Sequence, residues 1–338
     1  MAEHKAGPDL AHSLLVMRNI ARFHASPIAL REKRIFFVVK SQDQKELMKY
    51  KKGIFHKDQP TSWKEMYSEN LRTLADETVN WSELDPKIPM KIRKLSDVLF
   101  EKGDGATAYR EDDFNVLNHG DAWINNMMFR YDEDHNPIDH MFVDFQFCHW
   151  GSPAEDILYF IGTSLADDVR IQHRDLLLRN YQASLTSTMA ELKCKTEELS
   201  FDKLQQTLKE RAFCEAIAAM TVLVAALLGK EDKMKLDEIL RSGGAFIKPG
   251  YDGRAFKTTM TRLLPLYDSM GAVADPNNPF HWYHARYHVK TALSVLLFSD
   301  YKLGKTSGVG MTYFRGRISD YIFVHEDRTA ISPNIHNF

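Results

Sequence analysis

The sequence predicts an α+β fold, a mainly helical body carrying one small β-hairpin. Three observations predict it. Apolar residues recur at helical spacing over much of the 338-residue chain. From Phe114 to Phe147 the texture changes to short β-like runs, "FNVLNH", "NMMFRY" and "DHMFVDFQF". Between the last two runs lies "DEDHNP", a turn cluster of the kind that closes a hairpin.

Taken in order, Leu10–Ala25 reads as a helix that stops before Ser26-Pro27. Arg31–Lys57 is mixed and charged, and its "RIFFVVK" reads as a short strand or part of a loop. Helical patterns cover Ser62–Thr78 and Pro86–Lys102, the second giving way to "KGDGATAY", a loop of glycines and small residues. Beyond Pro153 helices are expected over Ala154–Ser164, Ile171–Lys193, Phe201–Gly229, Asp232–Arg241 and Arg254–Met270. The most apolar stretch, Ala216–Gly229, is shorter than the ~20 residues of a membrane span and is expected to be a buried core helix. A body over 10–271 is thus followed by a tail, 272–338, rich in His and aromatics and of unknown role. His281, His284 and His288 would share one helix face there. They have no carboxylate or Cys at matching spacing, so they read as surface or interface histidines.

Composition narrows the function classes. The chain is 44% hydrophobic and 27% charged, as soluble globular proteins are. A net charge of −2 gives no general attraction to nucleic acid or an anionic membrane, so neither is expected as a partner. Cys148, Cys194 and Cys214 lie far apart with no CxxC pair, which argues against a disulfide framework or a zinc site and fits a reducing, cytoplasmic setting. "MAEHKAGPDLAHSLL" lacks a basic start followed by an apolar run, so no secretory signal is expected. Oligomeric state is not legible.

The chemistry concentrates in "VLNHGDAWINNMMFRYDEDHNPIDHMFVDFQF". Asp121 follows a β-like run in a short polar loop, where a carboxylate can take the proton of an alcohol attacking phosphorus. Asn126 and Asp144 carry hard oxygens of the kind Mg²⁺ prefers when it also binds phosphate. Asp144 would end the second strand of the hairpin, beside Asn126. The pattern H-x-D-x-x-x-x-N, then strand, turn and "VDF", is the arrangement used by phosphoryl-transfer enzymes of the kinase fold. Turn residues of an ordinary hairpin are the bland alternative.

"HGDAWINNMMF" with "VDFQFCHWGSPAEDILYF" resembles the ecdysteroid-kinase-like, or choline-kinase-like, family, related to aminoglycoside phosphotransferases and choline kinases. His119-Gly120-Asp121, Trp123, Asn125-Asn126, Asp144-Phe145-Gln146, Gly151-Ser152-Pro153 and Asp156 meet the family pattern, with Ile157 where Leu is usual. "IARFHASPIAL" also resembles the family's helix ahead of the catalytic region, and the likeness covers approximately Leu10 to Met270.

The resemblance implies a protein-kinase-like C-terminal lobe, with a catalytic loop over 116–130 and a metal-binding DFQ segment over 141–147. Asp121 would be the catalytic base, and Asn126 and Asp144 the Mg²⁺ ligands that also hold ATP. His119 would brace the loop. Asp156 would hold loop amides, or else be a plain helix-start carboxylate favoured by the dipole. Gln146 stands where protein kinases have Gly. Trp123 and His24 are expected to be packing and structural residues.

Kinases of this fold have an N-terminal lobe with a phosphate-covering loop and a strand Lys. Before Leu10 stands only "MAEHKAGPD", so that lobe's sheet is expected to be absent or nearly so. A fragment or incomplete gene model, a short isoform, and a lobe supplied in trans all fit; the unfamiliar tail favours the first. The expected function is ATP-dependent phosphorylation of a hydroxyl on a small, steroid-like (ecdysteroid) substrate. An inactive pseudokinase or ligand-binding fragment is the alternative, and a helical scaffold without ligand the third.

Overall fold

The computed structural model describes residues 7–33, 51–228 and 250–273. "RIFFVVK", the pattern Asp232–Arg241, the three tail histidines and the tail beyond 273 lie outside the described residues.

Helix α1 spans Leu10–Lys33. Its buried Ser13, Val16, Met17, Ile20, Ala21, His24 and Ala25 recur at the spacing of one helix face. The stop expected at Ser26-Pro27 does not occur, and Pro27 lies inside the helix. Proline removes a backbone donor there. Burial of Ile28 and Ala29 outweighs that loss, and the Glu32 carboxylate fastens the last turn by accepting the Lys195 and Thr196 backbone N–H groups.

Helices α2 (Thr61–Thr78) and α3 (Ile88–Ala106) pack on one another. The loop expected at "KGDGATAY" is displaced, because α3 runs through its first residues. Gly103 is what permits this: a Cβ there would stand 2.8 Å from the Cβ and carbonyl oxygen of Phe55. The helix ends where both the Thr107 backbone N–H and hydroxyl donate to the Gly103 carbonyl, each at 2.9 Å.

Strand β1 (Val116–Asn118) pairs antiparallel with β4 (His149–Gly151), Asn118 opposite His149. All three residues of β4 are buried, so the strand carries no alternation to read from sequence. The expected hairpin forms from β2 (Met127–Tyr131) and β3 (Pro137–Phe142), with Met127 opposite Phe142. The third apolar run leaves the ladder after Phe142 rather than continuing to Phe147. Asp144, at φ +66°, occupies the left-handed region that a strand cannot hold. It therefore follows the strand instead of ending it.

Helix α4 (Ala154–Thr163) is buried along its whole length. The pattern Ile171–Lys193 resolves into α5 (Asp167–Gln172) and α6 (Arg174–Glu191). The single helix expected over Phe201–Gly229 is three: α7 (Phe201–Glu210), α8 (Phe213–Thr221) and α9 (Leu223–Ala226). Arg211 marks the first break, its buried guanidinium donating to the carbonyls of Ala106 and Ala108 and to Asp113. Helix α10 is Arg254–Ser269.

Among the described residues the architecture is mostly helical with two small sheets. Helices α2, α3, α8 and α10 share one apolar cluster; α1, the inner hairpin face, α6 and α7 share another. Helix α4 feeds both, Tyr159 to the first and Ile157, Leu158, Phe160 and Ile161 to the second. Among the described residues no helix is long and apolar enough to cross a membrane.

Candidate active site

The loop from β1 to β2 turns at Gly120, which has φ +81°; a Cβ there would meet the Phe147 carbonyl oxygen at 2.2 Å. Only glycine lets the loop pass this close to the segment after β3. His119, fully buried, fastens the same two stretches. Its Nδ1 accepts the Asp121 N–H at 3.3 Å, which leaves Nε2–H to donate to the Val143 carbonyl at 3.0 Å.

Asp156 enters from the first turn of α4, 1% exposed. Its Oδ2 accepts the His119 N–H at 2.7 Å and its Oδ1 the Gly120 N–H at 2.8 Å. His24 on α1 donates from Nε2 to the same Oδ2 at 3.0 Å, and its Nδ1 accepts from the Tyr181 hydroxyl at 2.8 Å. Burial alone would raise the Asp156 pKa, but the hydrogen bonds from His24 and the Gly120 N–H outweigh it and bring it below the usual carboxylate range. The loop backbone is therefore held from α1, α4 and α6 together.

Asp121 stands half-buried past that anchor. Its Oδ1 accepts the Tyr159 hydroxyl at 2.7 Å. Its Oδ2 accepts Asn126 Nδ2 at 2.9 Å, an amide that also donates to the Asp121 carbonyl at 3.0 Å. Burial pushes the Asp121 carboxyl up, helped by the charge of Asp144; the Tyr159 and Asn126 hydrogen bonds oppose it without cancelling it. A carboxylate raised in this way is a better proton acceptor.

The hairpin brings Asn126 and the stretch after β3 side by side. The Val143 N–H donates to the Asn126 carbonyl at 3.0 Å, so Asp144 sits one residue beyond Asn126's partner. Asp144 is exposed, and Gln146 Nε2 donates to its Oδ2 at 3.2 Å. The Asn126 Nδ2 is committed to Asp121, and the hydrogen bonds of the Asn126 side chain to the described residues run through that nitrogen rather than Oδ1. One amide oxygen and one exposed carboxylate fit a hard divalent cation that keeps several water or phosphate oxygens of its own. Among the described residues there is no group of three or more His, Cys, Asp and Glu that could hold a metal by itself.

The structure thus gathers His119, Asp121, Asn126 and Asp156 around one loop, with Asp144 alongside. Trp123 packs against the α2/α3 cluster. His24, expected to be structural, is so, holding Asp156 and Tyr181. Sequence reading missed Tyr159, signalled only by its i, i+3 spacing from Asp156 on α4, and Tyr181, which had no local signal. Also unforeseen is His149, whose Nδ1 donates to the Phe147 carbonyl at 2.9 Å and Nε2 to Glu155 Oε2 at 2.8 Å.

A family model described as the ecdysteroid kinase-like family matches residues 1–194. No curated protein and no solved structure matches the chain.

Proposed function

The chain belongs to the ecdysteroid kinase-like family, a family of small-molecule kinase-like phosphotransferases, and we propose that it moves the γ-phosphoryl group of Mg·ATP onto a hydroxyl of a small steroid-like substrate, an ecdysteroid alcohol. The observation that carries this reading is Asp121 itself: a half-buried carboxylate with raised pKa, oriented from two sides, beside an amide oxygen and an exposed carboxylate.

Asp121 receives the alcohol proton as the alcohol oxygen bonds to phosphorus and the bond to the ADP oxygen breaks. His119 and Asp156 fix the backbone on which Asp121 stands. Asn126 Oδ1 and Asp144 would hold the Mg²⁺ ion, which neutralises charge on the phosphate oxygens. On the outer hairpin face Met128 and Met141 stand opposite each other and exposed, an apolar surface that suits a purine base. The steroid-like acceptor follows the description of the matching family model.

Calorimetric titration with Mg·ATP, paired with Asp121→Asn, tests the reading. Saturable binding is expected in both proteins, with phosphoryl transfer reduced at least about a hundredfold in the variant, since general-base help supplies roughly 10²–10⁴. Undetectable binding at millimolar nucleotide would leave a ligand-binding role without transfer. Near-normal turnover of the variant would remove Asp121 as the base.

A further inference from the structure

Two side chains on α4 serve the catalytic loop, three residues apart on one face of the helix. Asp156 holds the backbone just ahead of Asp121. Tyr159 reaches the Asp121 carboxylate itself. We propose that Tyr159 is a positioning residue for phosphoryl transfer, fixing the orientation of the Asp121 carboxylate through its hydroxyl; this rests on the phosphotransferase reading above.

A carboxylate held by one donor can still turn about its Cβ–Cγ bond, which is a soft torsion. Held by a different donor on each oxygen, it has one orientation. Asn126 supplies the donor on Oδ2 at 2.9 Å and Tyr159 the donor on Oδ1 at 2.7 Å. The two come from opposite kinds of support. Asn126 belongs to the same loop as Asp121, whereas Tyr159 is 6% exposed on a wholly buried helix. Among the described residues the phenol is the donor that ties the Asp121 side chain directly to that helix. Burial, with the nearby Asp121 charge, pushes the Tyr159 pKa far up, so the hydroxyl stays protonated and a donor. Its ring packs in the cluster of α2, α3, α8 and α10, which fixes where the hydroxyl can be.

Tyr159→Phe keeps that ring and deletes only the hydroxyl. The full-length protein would be assayed with radiolabelled Mg·ATP, using an ecdysteroid as acceptor and basal hydrolysis to water as a second rate. Mg·ATP affinity would be measured by calorimetry on the same samples. The expected result is a fall in kcat of about tenfold, the usual consequence of losing a hydrogen bond to a charged group, with KM and affinity for Mg·ATP unchanged. Combined with Asp121→Asn, the second substitution should add nothing, because Tyr159 acts through that carboxylate. A wild-type rate in Tyr159→Phe overturns the proposal, as does an undiminished tenfold loss in the Asp121→Asn background. A loss that appears as weakened Mg·ATP binding overturns it too. A wild-type protein that neither binds Mg·ATP nor transfers phosphate sinks the phosphotransferase reading and this inference with it, whereas an active wild type with an indifferent Tyr159→Phe sinks the inference alone.

Discussion

Two aspartates flank the loop that carries Asp121, and the chain treats them in opposite ways. Asp156 is 1% exposed, and its two oxygens accept two backbone N–H groups and an imidazole N–H. Asp144 is exposed, sits in left-handed backbone, and accepts one side-chain donor, from Gln146. The first carboxylate has spent its acceptors on the protein, so it can only be architecture. The second keeps lone pairs that no other donor among the described residues engages. In the sequence both are an Asp beside an apolar run; what separates them is where their hydrogen bonds go.

The largest effect expected from this contrast is on folding. Asp156→Ala would strand the N–H groups of His119 and Gly120 and the His24 ring in a dry interior. Breaking such a buried charged network by removing one partner costs about 3–5 kcal/mol. Urea unfolding of the variant should show a loss of that size. A loss below about 1 kcal/mol would mean that water or another acceptor replaces the carboxylate, and the contrast with Asp144 would dissolve.

Next in size is the reverse experiment. Asp144→Asn suits the positive φ, since Asn tolerates left-handed backbone, and removes only the charge. Stability should stay within about 0.5 kcal/mol of wild type, as for other exposed positions. Phosphoryl transfer should fall about a hundredfold, the scale on which a group that stabilises transition-state charge is felt. If Asp144→Asn unfolds the protein instead, the carboxylate is architectural like Asp156.

The same contrast explains what was legible in the sequence. Asp121, Asn126, Asp144 and Asp156 lie in one stretch whose spacing is set by a single hairpin and a helix start, so short-range pattern was enough to single them out. His24 reaches Asp156 across 132 residues of sequence and Tyr181 reaches His24 across 157, and nothing local announces such a pairing. Pro27 and Gly103 are local signals that misled. Each reads as a breaker, and each lies inside a helix because burial of neighbours such as Ile28, or the close approach of Phe55, decides the outcome. Asp144 stands where the strand pattern was read to its end; its φ of +66° had no sign in residue type beyond Asp being tolerant of it.

A third carboxylate near the loop falls between the two extremes and gives the smallest effect. Glu155 is 7% exposed; one oxygen accepts from His149, and the other has no hydrogen-bond partner. Burial would depress the His149 pKa, but the charge and hydrogen bond of Glu155, with the Phe147 carbonyl, push it up to about 9. The folded value thus lies above the roughly 6.5 of an unfolded histidine. Protonation then favours the folded state, a contribution complete below about pH 6.5 and lost as pH rises through about 9. Thiols and phenols held neutral by burial also weaken the fold at high pH, so the wild-type slope alone does not isolate the pair. His149→Gln, which has no proton to lose, does. Its Tm should lie below wild type at pH 7 by about 2–4 °C for each kcal/mol the pair contributes, and the gap should close between pH 8 and pH 10. A gap that stays constant over that range would show that His149 is not charged in the folded protein, and that Glu155 is held by a neutral hydrogen bond.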